Sequence, residues 1–290
     1  MNATTRLEAI IHARDASATT LLEALQELGM HFTEQHLADK WLQYIKTKTS
    51  IHPFGWYSPP PNGVSVLIGE PDDFNRLEYQ SLRDQCNWPS PDVYFNQNTV
   101  LYPYFSAVDR ATKMIGDHVA TYYSGRDPNI RQWYRAVYEA TRQIALSVNI
   151  GMTFSELHSL AEEKLLTLGA KNNTYSLTGG LAADIGHTIP YFSTGAPPDG
   201  QTMEDARSIA SLIGGGREFI SKSSEYIISD SCAFTIEPQA VTAGLPMCSF
   251  HMIVAYVNGE FFLIEKFKRL FEFFGMADWI YDTASPDALG

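Results

Sequence analysis

The chain has 290 residues, with 21 Lys and Arg against 33 Asp and Glu, a net charge of −12 and a pI near 5.1. That balance excludes a nucleic-acid surface built from clustered basic side chains and a polybasic membrane anchor. With 44% hydrophobic and 19% charged residues, the composition is that of a globular protein and not of a disordered one. Three cysteines, Cys86, Cys232 and Cys248, are too few for a disulfide framework and show no metal-finger spacing. Met1 to His12 lacks a signal-peptide core, and no apolar run is long enough to span a bilayer. The expectation is a cytoplasmic protein with no nucleic-acid or membrane partner.

In chain order, Leu7 to Leu28 has helical apolar spacing, with Gly29 as its stop. Gly29-Met30-His31-Phe32-Thr33-Glu34-Gln35-His36 follows, with Thr33 as the cap of a helix through Trp41 to Ile45. The same pattern returns as Gly151-Met152-Thr153-Phe154-Ser155-Glu156-Leu157-His158, position 151 against position 29. There Ile130 to Val148 reads as the preceding helix, and Ser155 as the cap of a helix ending near Leu168 and Gly169. A helix, Gly-Met turn, capped-helix unit used twice predicts two related halves, about 1–125 and 126–265, in one domain spanning 1–290.

Strand-like sequence follows each helix pair. In the first half it covers 64–68, 99–105 and 117–123. In the second it lies near Tyr175 and Ile185, then at 233–236, 250–257 and 260–264, the last two joined by Asn258-Gly259, a hairpin signal. Residues 50–63, with Trp56, Tyr57 and Pro59-Pro60-Pro61, read as a rigid loop facing the substrate. Segment 191–231 reads as an insertion. Phe267, Leu270, Phe271 and Phe274 form the core stripe of a C-terminal helix over about 265–275.

Four strings place a metal-competent side chain beside strand or turn sequence. They are Gly116-Asp117-His118-Val119, Asp184-Ile185-Gly186-His187, Phe234-Thr235-Ile236-Glu237-Pro238 and Ser249-Phe250-His251-Met252. Imidazole and carboxylate together suit Fe, Mn, Zn or Co better than Ca or Mg. His118, one residue from Asp117 on a strand, should face away. His31, His36 and His158 read as capping or surface residues, and Cys232 and Cys248 as buried thiols. His12 and His52 show no partner in the sequence.

The G-H and F-T-I-E-P strings, following two helix pairs, resemble the pita-bread metallopeptidase superfamily of methionine aminopeptidases, proline-specific aminopeptidases, prolidases and creatinase. The resemblance runs from about Leu7 to Ile264. It implies an α+β fold of two pseudo-symmetric halves, each a helix pair packed on a curved, mainly antiparallel sheet. It also implies a site with five metal ligands in the order Asp, Asp, His, Glu, Glu. On this chain the second Asp falls on Asp117, the His on His187 and the first Glu on Glu237. The last Glu is replaced by His251. At the family's spacing the first Asp falls on Ser106, a poor ligand. Asp109 could replace it only in a hairpin shortened by three residues.

These departures predict one divalent transition metal held by Asp117, His187, Glu237 and His251. The further histidines that family peptidases present to substrate are also missing, one of them replaced by Ala183. The lead expectation is therefore a metal-dependent hydrolase-like enzyme acting on a small molecule or unusual amide, with a metal-activated water or carbonyl. Two alternatives stand beside it: a mononuclear non-haem iron oxidase, oxygenase or lyase, and a metal-free binding module. A homodimer is compatible with all three.

Overall fold

The first helix, α1 (Ala3–Leu28), starts four residues before the apolar periodicity, because the Asn2 side chain caps it by accepting from the Thr5 amide. Gly29, at φ 71°, ends it in the conformation that glycine tolerates best. A two-residue strand, β1 (Phe32–Thr33), leads into α2 (Glu34–Ile45), capped by Thr33 through the His36 amide at 3.1 Å. Trp41 fixes the pair: its indole N–H donates to Ser17 O and Thr20 Oγ1 of α1. The structure is a computed structural model describing residues 2–71, 82–173, 183–194 and 205–281.

The first sheet contains β2 (Val64–Gly69), β4 (Val100–Val108), β5 (Ile115–Val119) and β6 (Tyr122–Tyr123), and β3 (Tyr94–Phe95) pairs with β1. The expected strand at 117–123 is two pieces, β5 and β6, both antiparallel to β4. Between them the chain turns aside at Ala120, which bridges to Phe250, and at Thr121, whose N–H donates to Ser249 O. Helix α1 lies across β5 at Gly116. A Cβ there would stand 2.0 Å from the Arg14 nitrogen, so the glycine permits the contact.

The second helix pair is α3 (Pro128–Leu146) and α4 (Phe154–Thr167). Thr153, rather than Ser155, caps α4. It forms a capping box in which its hydroxyl accepts from the Glu156 amide and Glu156 accepts from its own N–H at 2.7 Å. His158 is buried, not at the surface, with Nδ1 3.6 Å from a Glu162 carboxylate oxygen. His31 and His36 are exposed.

Beyond α4 come β7 (Lys171–Asn172), β8 (Asp184–His187), α5 (Ala206–Gly215), β9 (Phe219–Ser221), β10 (Cys232–Ile236), β11 (Gln239–Thr242), β12 (Leu245–Ser249), β13 (Met252–Val257) and β14 (Glu260–Ile264). Tyr175 lies outside the described residues, as does 195–204 of the expected insertion. The β11–β12 hairpin was not foreseen. The β13–β14 hairpin turns at Asn258 and Gly259, both at positive φ as its dipeptide requires. The C-terminal helix is two short pieces, α6 (Lys268–Phe273) and α7 (Ala277–Ile280). Phe267, Leu270, Phe271 and Phe274 all face the core.

The main apolar core lies between the helix pairs and the sheets, with Trp41, Phe105, Tyr134, Phe154 and Phe234 fully buried. A second cluster joins the start of α1 to α5, β5 and β13 through Leu7, Ile10, Ile115, Leu212 and Ile253. Among the described residues no helix is long and apolar enough to cross a membrane.

Candidate metal centre

Four strand segments deliver the candidate side chains to one buried point. Asp117 sits on β5 directly opposite Ser106 of β4. His187 ends β8, its N–H held by Thr235 Oγ1 at 3.0 Å. The preceding Gly186, at φ 141°, lets β8 approach β10 so closely that a Cβ would stand 2.2 Å from Thr235 O. That is the physical content of the G-H string. Glu237 follows β10 with its N–H on Ile185 O at 2.7 Å, and His251 precedes β13 with its N–H on Val119 O at 3.0 Å.

The resulting distances are short. His251 Nδ1 is 3.0 Å from Glu237 Oε2 and 3.9 Å from Asp117 Oδ1. His187 Nε2 is 3.8 Å from Asp117 Oδ2 and 3.9 Å from Glu237 Oε1. One ligand atom from each of Asp117, Glu237 and His251 fits within a 4.8 Å group, and His187, near both carboxylates, stands outside that group. All four residues are buried.

The chemistry of this donor set fits a cation. His187 Nδ1 lies 2.9 Å from Thr188 O, which makes Nδ1–H the donor and leaves a lone pair on Nε2. Nε2 stands 3.8 and 3.9 Å from two carboxylate oxygens, beyond direct hydrogen bonding and wide enough for a cation between them. Asp117 Oδ1 and Ser106 Oγ are buried with no hydrogen-bond partner among the described residues.

Titration of the group follows the same logic. Burial pushes His251 down, but Glu237 and Asp117 outweigh it and hold it at about 9. Burial pushes Glu237 up, yet the two imidazoles carry it down to about 2. Burial and the nearby Arg217 charge lower His187. Without a metal, a proton on His251 supplies the positive charge.

Each sequence candidate has a definite place. Ser106 faces Asp117 and offers only a hydroxyl. Asp109 is outside the cluster: its Oδ1 accepts from the Ala111 and Thr112 amides and the Thr112 hydroxyl, closing the β4–β5 turn. The hairpin is therefore not shortened to bring it in. Trp56 stands edge-on to His187 at 5.9 Å between centroids, and Tyr57 stands edge-on to both Trp56 and Tyr104. His118 faces away from the cluster and packs on Phe267. His12 meets Ser50 and His52 meets Lys113.

Three neighbours of the site were not foreseen. Arg14 of α1 is fully buried, donating to the carbonyls of His251 and Glu265. Tyr104, two residues before Ser106 on β4, lies against His251. Period-two alternation could have found Tyr104, since residues 104 and 106 share a strand face. Arg217 stacks on Trp56 and Phe219.

No family model and no curated protein matches the sequence. Solved structures do match the fold. Dipeptidase PepE from Mycobacterium ulcerans aligns over 90% of this chain with TM-score 0.62 and 17% identity. Prolidase from Pyrococcus furiosus aligns over 91%, with TM-score 0.62 and 16% identity. This chain has the pita-bread fold. It spans 58% and 64% of those two chains. Against methionine aminopeptidase from Rickettsia prowazekii the pita-bread match covers 90% of this chain and 97% of the other, at TM-score 0.60 and 13% identity.

Proposed function

We propose that this chain is a metal-dependent hydrolase-like enzyme with a mononuclear site, acting on a small molecule or an unusual amide. The observation that carries this reading is the convergence of the His251 and His187 ring nitrogens on the buried carboxylates of Asp117 and Glu237 at 3.0 to 3.9 Å. Asp117, His187, Glu237 and His251 would hold one divalent transition metal. Such an ion supplies Lewis acidity and a water acidic enough to lose a proton near neutral pH. The protein's own part is orientation. The Thr188 carbonyl fixes the His187 tautomer, and the Val119 carbonyl holds the His251 backbone against β5. Ser106, in place of a carboxylate opposite Asp117, takes away an anionic ligand that a second ion would need. Peptidase relatives in fold support hydrolysis as the reaction class, while Phe219 stands opposite His187 in register with no imidazole to offer.

The test is elemental analysis of anaerobically purified protein beside Asp117→Ala and His251→Ala. About one equivalent of zinc, manganese or cobalt, lost in both variants, is the expected result. One equivalent of iron with oxygen uptake would move the reading to the oxidase, oxygenase or lyase alternative. Two equivalents would overturn the mononuclear site. None on folded protein would leave a metal-free binding module.

A further inference from the structure

The backbone of His251 is held from two sides by elements outside its own hairpin. Pairing of β13 with β14 runs back from the turn to Ile253 opposite Ile264. His251 and Glu265 lie just beyond, at the open end of the hairpin. The His251 N–H is taken by Val119 O of β5 at 3.0 Å. Its carbonyl accepts from Nη2 of Arg14 on α1. The same guanidinium donates from Nε to Glu265 O at 2.9 Å. One side chain therefore bridges the two strands where their own ladder has stopped, at the residue that carries the imidazole.

Little freedom is left to this bridge. Arg14 is fully buried. Its guanidinium carbon lies 5.2 Å from the centroid of the Phe267 ring, a stack that fixes its plane. Its backbone rests on β5 at Gly116, next to Asp117, where a Cβ would stand 2.5 Å from the Arg14 Cα. Burial lowers its pKa to about 10, so the charge persists at neutral pH, with Asp117 foremost among the anions that support it. Nη1 is buried with no hydrogen-bond partner among the described residues. A buried cation with a spare donor is costly, and an apolar side chain would fill the same space without that cost. What its other donors grip is the backbone of a metal-candidate histidine.

We propose that Arg14 is a positioning residue of the metal centre: by holding the His251 carbonyl it aims the imidazole at the carboxylates of Asp117 and Glu237, and it thereby favours zinc over manganese. This rests on the metal reading above. Metal–nitrogen bonds tolerate deviations of only about 0.2 Å, so a peptide free to rotate at residue 251 would cost ligation by the ring. Imidazole contributes more to zinc binding than to manganese binding, where oxygen donors dominate. Lysine at position 14 would keep the charge and lose the planar fork that spans two carbonyls, which separates grip from charge.

The experiment titrates Zn(II) and Mn(II) into the full chain against a chromophoric chelator, for wild type, Arg14→Lys, His251→Gln and the double variant. Arg14→Lys should weaken Zn(II) by about tenfold or more, the scale of losing a group that orients a ligand, and Mn(II) by no more than about threefold. In the His251→Gln background the same change should shift Zn(II) by less than about twofold, because the cycle isolates the coupling between the two residues. Equal losses for both metals, or equal losses in both backgrounds, would mark Arg14 as support for the fold alone and overturn the proposal. Unchanged Zn(II) affinity in Arg14→Lys would overturn it and leave the metal reading intact. If His251→Gln itself leaves Zn(II) affinity unchanged, His251 is not a ligand and the positioning role falls. Binding of neither metal to the wild type would overturn the metal reading itself. Should Arg14→Lys fail to fold by circular dichroism, Phe267→Leu carries the same test. It removes the ring stacked on the guanidinium and keeps both carbonyl bonds; it should weaken Zn(II) by about threefold in the wild-type background and not in His251→Gln, and an equal effect in both would overturn the proposal.

Discussion

In metal-free protein the charge that holds the two carboxylates together is a proton on His251, and its loss should be measurable as stability. The imidazole is raised from 6.5 to about 9, because Glu237 and Asp117 outweigh the cost of its burial. At about 1.4 kcal/mol per pH unit, that rise is worth about 3 kcal/mol. A raised pKa gives stability that is complete below 6.5 and disappears as pH climbs through 9. Glu237, lowered from 4.5 to about 2, behaves oppositely: its contribution is complete above 4.5 and fades as pH falls through 2. Urea denaturation in EDTA from pH 4.5 to 10 should therefore show a plateau up to pH 6.5, then a decline of about 3 kcal/mol. His251→Gln should lack that decline. Saturating Mn(II) should abolish it in the wild type, since metal binding replaces the proton, and Mn(II) affinity should rise about tenfold per unit below pH 9. An identical decline in His251→Gln would refute the assignment of the proton, and a flat wild-type profile would refute the coupling of the cluster.

Two further substitutions probe the frame around the site. Ser106→Asp places a carboxylate opposite Asp117; it should lower metal-free stability by about 1–3 kcal/mol through like-charge burial and raise bound Mn(II) from one equivalent to two. Retention of a single equivalent, measured by elemental analysis, would show that His251 alone limits the count. Gly116→Ala drives a Cβ to within 2.0 Å of the Arg14 nitrogen and 2.3 Å of the Ala13 carbonyl carbon. Backbone must move on one side, at a cost of about 3 kcal/mol, and thermal denaturation together with Mn(II) titration should show both stability and affinity falling.

The parts of this molecule written in local chemistry were legible before the fold was known. Helix pairs announce themselves through amphipathic spacing and terminal glycines, and Asn258-Gly259 specifies its own turn. The Gly-Met repeat was legible as letters but not as roles. Glu34 is fully buried and accepts from the Ile68 and Ser90 amides, whereas its counterpart Glu156 closes a capping box on Thr153. Two hydroxyls, Thr153 and Ser155, suit the cap equally by type, and the reach of Glu156 decides between them. His158 was misplaced because a helix position alone does not tell which face meets the core. Asp117, His187, Glu237 and His251 could be singled out as candidates because each sits beside a glycine, strand or motif with its own logic. Arg14 and Arg217 had no such mark. Their meaning arises only when helix α1 and the α5–β9 return reach partners far along the chain, and no periodicity encodes that approach.

The reach of Arg14 also orders events in time. Its guanidinium ties the first helix to the carbonyls of His251 and Glu265, across more than two hundred residues of chain. During synthesis the amino-terminal half, with Asp117, emerges long before Glu237 and His251 exist. Until the last strands arrive, Arg14 lacks both of its carbonyl acceptors and Asp117 lacks the other side chains of its cluster. A nascent chain can therefore display one carboxylate but not the complete cluster until the first and last parts of the protein have met. The buried arginine is a clasp between the two ends of the biosynthetic sequence.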